Sequence, residues 1–117
     1  MKSIFFCILT FLAIPFISNS FAPNPNLVTA HYTVHGVCEQ CKKRIENASY
    51  IKGVKNANWS KETEDLTVTY DSIKTNPDLI LKSIASAGHD ADKYTATEVD
   101  YNKLPKCCKY KTITKKH

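Results

Sequence analysis

Val34-His35-Gly36-Val37-Cys38-Glu39-Gln40-Cys41-Lys42-Lys43-Arg44-Ile45 decides how this chain is read, because it sets two thiols three residues apart where a strand hands over to a helix. Upstream, Val28, Ala30, Tyr32 and Val34 alternate with Thr29, His31 and Thr33, the period of a half-buried strand. Downstream, Cys41, Ile45 and Ala48 recur at helical spacing and predict a helix from about Cys38 to about Tyr50, stopped by Lys52-Gly53. Unpaired amides and the positive end of the helix dipole at such a junction favour thiolate over thiol. Thiolate is the form that ligates metal or attacks sulfur. Lys42, Lys43 and Arg44 cost stability in a first turn, so they predict negative charge on the neighbouring loop, which a bis-thiolate metal complex would supply.

Working outward, Val54 to Trp59 reads as a second strand, and Ser60 to Asp65 as a hairpin connection. Leu66, Val68 and Tyr70 alternate with Thr67 and Thr69 as a third strand. Asn76-Pro77 starts a second helix with a capping side chain and a proline in the first turn, and Ile80, Leu81, Ile84 and Ala87 form its buried stripe before Gly88. Lys93 to Ala96 is expected as a fourth strand. The order βαββαβ then predicts an α+β, ferredoxin-like sandwich, an antiparallel four-stranded sheet with both helices on one face, followed by a C-terminal extension.

Residues 1–22 read as an export signal: Lys2 is the lone charge, an apolar run spans Ile4 to Ile17, and Ser20-Phe21-Ala22 suits cleavage after Ala22. The run is short for a membrane span and holds Pro15, so the mature chain is expected to carry no span and to be periplasmic or otherwise exported. Cys7 leaves with the signal. The expected organisation is a signal at 1–22, a domain at 23–97 and a lysine-rich, cysteine-containing extension at 98–117. The formal net charge of +5 falls by one with Lys2, and its scattered lysines suit an acidic protein surface better than nucleic acid.

With these elements in place, Leu27 to Ala96 resembles the heavy-metal-associated domain found in copper chaperones, in the N-terminal modules of metal-exporting ATPases and in the mercuric-ion-binding protein. Val34 with Cys38-x-x-Cys41, Ile45-Glu46, Gly53-Val54-Lys55, Val68-Thr69-Tyr70-Asp71 and Ile84-x-x-x-Gly88-His89-Asp90 carry the resemblance together. Gly88-His89-Asp90-Ala91 and Leu104-Pro105-Lys106-Cys107-Cys108-Lys109-Tyr110 look like exported members from Gram-negative bacteria. The resemblance implies that Cys38 and Cys41 bind a soft ion and pass it by ligand exchange to a metal-transport or metal-accepting protein, with no enzymatic activity. The family usually writes Gly-Met-x-Cys before the first thiol. Here His35, Gly36 and Val37 stand there, which predicts a loop less rigid than usual.

Each candidate has a plainer reading beside it. The alternative readings of Cys38 and Cys41 are the redox dithiol of a thiol-disulfide oxidoreductase and, after it, an inert disulfide, but no Trp precedes Cys38 and the strand-helix order is wrong for a thioredoxin. Two thiolates suit Cu(I) better than a closed Zn(II) site, which wants four ligands; Cu(I) is therefore the first candidate, with Hg(II) or Zn(II) as the alternatives. Both are expected on a surface loop. Cys107 and Cys108 are read as free thiols, as a second soft-metal site, or as partners of Cys38 and Cys41, since a disulfide between neighbours is strained. His89 either tunes or joins the metal site or is an ordinary turn histidine. His35 is expected exposed and His31 solvated, while Trp59 and Tyr32 are expected to pack.

Overall fold

In the computed structural model, residues 13–15 and 23–112 are described; the rest of the expected export signal, with its Cys7, and the terminal residues 113–117 lie outside them. Three strands form one antiparallel sheet in the order β1-β3-β2, with β1 at Leu27–Thr33, β2 at Val54–Trp59 and β3 at Asp65–Asp71. The central β3 pairs Ala30 with Val68 on one side and Ala57 with Val68 on the other. Alternation therefore sends Leu66, Val68 and Tyr70 inward, while Thr29 and Thr69 join hydroxyls at 2.8 Å on the solvated face. The hairpin between β2 and β3 closes through Glu64, whose φ of 60° is the left-handed conformation a tight reversal needs.

Helix α1 covers Glu39–Ser49 and α2 covers Pro77–Ser86. Asn76 caps α2 as its sequence predicts, its side chain accepting the Leu79 N–H at 3.0 Å. Ile45 of α1 and Ile80, Leu81 and Ile84 of α2 join Val34, Trp59, Leu66 and Val68 in one core cluster. Ser83 Oγ donates to the Ala48 carbonyl at 2.7 Å and holds the two helices together. Among the described residues, no helix is long and apolar enough to cross a membrane.

The expected fourth strand at Lys93–Ala96 does not form. Pairing along that edge shrinks to a single bridge, Val34 with Ala91, and Asp92 at φ 50° then turns the chain so that Tyr94 bridges back to Ala91. The Asp90 carboxylate accepts the Ala96 N–H at 2.7 Å and secures the turn. The freed chain enters a third helix, α3 at Glu98–Asn102, capped by Thr97 through the Asp100 N–H at 3.1 Å, and then a single 3-10 turn at Lys106–Cys108. The extension is thus folded over these residues.

Gly88 is where this tail meets the domain. Its φ of +103° strains any L side chain, and a Cβ there would come within 2.8 Å of the Asp100 carbonyl and 2.9 Å of Leu104 Cγ. Gly88→Ala should therefore destabilise the folded chain by at least about 1 kcal/mol. Urea denaturation checks this: the midpoint should fall, and an unchanged midpoint would mean that the tail is not docked at Gly88.

Candidate metal centre

The loop from Val34 to Cys38 is tied at its start. The Val34 N–H donates to the Glu64 carbonyl at 2.9 Å and its carbonyl accepts the Trp59 indole N–H at 2.8 Å. Cys38 has extended backbone and is the N-cap of α1; its Sγ accepts the Cys41 N–H at 3.4 Å. The two sulfurs lie 3.1 Å apart.

Neither thiol sits on an open surface loop. Cys38 is 5% exposed and Cys41 fully buried. Cys108, also fully buried, reaches Cys38 with its Sγ at 3.3 Å, so that Cys38, Cys41 and Cys108 offer three sulfurs within 4.8 Å of one another. All four described cysteines are free thiols. Cys107 points elsewhere: its thiol donates to Gln40 Oε1 at 3.0 Å and stands 3.9 Å from Cys108 Sγ.

Neighbouring dipoles separate the three clustered thiols electrostatically. Burial opposes ionisation of Cys38, but hydrogen bonds from the Cys41 thiol, the Cys41 N–H and the Cys108 and Cys107 thiols outweigh it and hold Cys38 below its ordinary value. Burial raises Cys41. Cys108 is pushed far up, by burial first and then by the neighbouring thiols. Cys38 is accordingly the first of the cluster to become a thiolate.

The three basic residues of the first turn do not serve the thiols as expected. Lys42 Nζ is turned toward the end of β2, where it binds Glu46 Oε2 and Asn58 Oδ1 at 2.8 Å each and the Trp59 carbonyl at 2.7 Å. Arg44 reaches the Ala87 carbonyl at 3.4 Å, and Lys43 is exposed. Nor is the loop slack at Gly36. A Cβ there would lie 3.0 Å from Cys41 Cβ and from the Trp59 ring, so the indole occupies the space beneath the loop. Trp59 packs, as expected, and does so as the floor of the site.

The described histidines, His31, His35 and His89, stay out of the sulfur cluster. His89 is fully buried, and its Nδ1 donates to the His35 carbonyl at 2.8 Å. Burial holds His89 below the ordinary histidine value, leaving a neutral ring whose Nε2 has no hydrogen-bond partner among the described residues. Tyr110 of the tail stacks on it at 5.5 Å between ring centres. His35 pairs with Glu64 at 2.7 Å, and His31 is exposed beside Asp65 at 2.9 Å.

Known proteins share the fold that carries this cluster. The CopZ metallochaperone is 29% identical, with a TM-score of 0.53 over 55% of this chain and 98% of that one. Oxidized MerP from Ralstonia metallidurans CH34 is 28% identical, with a TM-score of 0.54 over 56% of this chain and 94% of that one. A protein from Bacillus anthracis str. Ames, 24% identical with a TM-score of 0.54 over 56% of this chain and 96% of that one, shares the fold. No curated protein matches the chain. The sequence profile of the heavy-metal-associated domain matches residues 31–90, which hold both thiols of the Cys38-x-x-Cys41 motif and His89, and the chain belongs to that family.

Proposed function

We propose that this protein is an exported carrier or scavenger of a soft metal ion, Cu(I) first and Hg(II) second, which it holds on the Cys38 and Cys41 thiolates and hands on by ligand exchange. The observation that carries the reading is the buried cluster of three thiol sulfurs within 4.8 Å of one another, two at the N-terminus of α1 and one from the 3-10 turn of the tail. Sulfur donors of this kind select soft ions, and their number falls short of the four that a closed Zn(II) site takes from a protein. Membership of the heavy-metal-associated family and the likeness to CopZ and MerP support the same chemistry. Cys107 and His89 stand close by as auxiliary groups rather than as members of the cluster.

Transfer by ligand exchange needs a recipient that contributes its own thiolates while the donor's bonds lengthen. The recipient we propose is a metal-transport or metal-accepting protein with an acidic docking surface. Lys103, Lys106 and Lys111, carried by the tail that lies over the thiols, give that surface its complement. The apolar run at Ile4 to Ile17 supports export, and the recipient is then expected outside the cytoplasm.

Cys38→Ser and Cys41→Ser should each abolish tight Cu(I) binding while far-ultraviolet circular dichroism stays unchanged, because Val34, Ile45, Val68 and Ile84 set the core. Competition against a Cu(I) chelator reads the affinity, and a double serine variant with full affinity would overturn the metal reading. An insulin-reduction assay separates the oxidoreductase alternative, with no turnover expected above a free dithiol control.

The pH dependence has a definite sign. Cys41 keeps its proton to higher pH than a free thiol, so an ion entering at neutral pH must displace it. Apparent Cu(I) affinity should therefore rise with pH, and loading in weak buffer should release protons to an indicator dye. Loading without proton release would show that the thiols are not the ligands.

A further inference from the structure

Cys108 is held where it is by contacts on both sides of it. Leu104, 4% exposed, packs at Gly88, and Pro105 opens the 3-10 turn that carries the thiol. Beyond it, the Tyr110 hydroxyl donates to the Gly88 carbonyl at 3.1 Å and accepts the Asp90 N–H at 3.0 Å. The Tyr110 ring stacks on His89 and His35 at 5.5 and 6.3 Å and meets Tyr101 edge-on at 5.2 Å. A tail that only shielded an apolar surface would present a hydrocarbon at this point. This one presents a thiol, fully buried, whose polar neighbours are other thiols.

From this placement we infer that Cys108 is a third thiolate ligand, so that the ion is held in three-coordinate sulfur geometry by Cys38, Cys41 and Cys108, with the tail as a detachable strap. The inference rests on the metal reading above and deepens it. At a metal–sulfur bond of about 2.3 Å, a planar three-coordinate site separates its sulfurs by about 4.0 Å, and a linear two-coordinate site by about 4.6 Å. The observed separations of 3.1 Å between Cys38 and Cys41 and 3.3 Å between Cys38 and Cys108 need less opening to reach the first geometry than the second. Each thiol gives its proton to solvent as its sulfur bonds the ion, and no redox change is required. Cys107 is left outside the set by its bond to Gln40, although it is the immediate neighbour of Cys108. Withdrawal of the strap would return the ion to the two-thiolate site, the form open to a recipient's attack.

X-ray absorption at the copper edge, on the reduced full-length chain carrying one equivalent of Cu(I), tests this. The wild type and Cys107→Ser should each show three sulfur neighbours, and Cys108→Ser two. Cys108→Ser should also bind Cu(I) at least about tenfold more weakly, about 1.4 kcal/mol, and surrender it faster to a dithiol chelator. A two-sulfur shell in the wild type that is lost with Cys38→Ser would overturn the third ligand while leaving the carrier reading intact. A four-sulfur shell would overturn the three-ligand set. Failure of the wild type to bind Cu(I) would overturn both. The wild-type shell decides the matter even if Cys108→Ser fails to fold.

Discussion

The indole of Trp59 is the constraint on which the thiol loop depends. Its N–H binds the Val34 carbonyl, its backbone N–H binds Glu46 Oε2 at 2.9 Å, and its carbonyl accepts Lys42 Nζ. One residue at the end of β2 thus joins the exit of β1 to the first two turns of α1, the two elements between which the cysteines lie. The ring itself fills the space that a side chain at Gly36 would claim. Close packing of this kind transmits position, since a filled interior has few alternative arrangements. Cys38 and Cys41 are therefore placed by the core and not merely by loop preference.

The missing fourth strand and the covered thiols are two results of one turn. Had the chain after Ala91 run on along β1, the sheet would have gained an edge strand and the tail would have left from the far end of it. Asp92 instead reverses the chain at once, with Asp90 capping the turn. The tail leaves beside the C-terminal end of α2, next to Gly88 and His89, which face the thiol loop through the His35 carbonyl. Shortening the sheet is what brings Cys108 within reach.

Strong local signals explain what could be read from the chain beforehand. Alternation in β1 and β3 and the Asn76-Pro77 start of α2 are written in neighbouring residues, and the structure places those elements within a residue or two of the expectation. Lys93 to Ala96 misled because Tyr94 and Thr95 suit a strand by type, while the turn at Asp92 comes from a positive φ that an aspartate tolerates without announcing it. Cys107 and Cys108 were indistinguishable as neighbours in a polar tail. Which of them turns inward is decided by the 3-10 turn and by Tyr110 two residues later, a contact across the chain that no local pattern encodes.

Burial of the cluster also bears on how a thiol site would survive the export proposed above. An exposed dithiol in an oxidising compartment loses its ligands to disulfide formation, and the attacking species in that reaction is the thiolate. Here Cys41 and Cys108 are held protonated by burial, and Cys38, the group most ready to ionise, is only 5% exposed beneath the tail. A soft ion displaces thiol protons through the strength of its bonds to sulfur, whereas a chemical oxidant must first reach a thiolate that the fold keeps covered. The same tail therefore serves two ends on the proposed reading: it withholds the sulfurs from oxidation while the site waits, and it supplies one of them when the ion arrives.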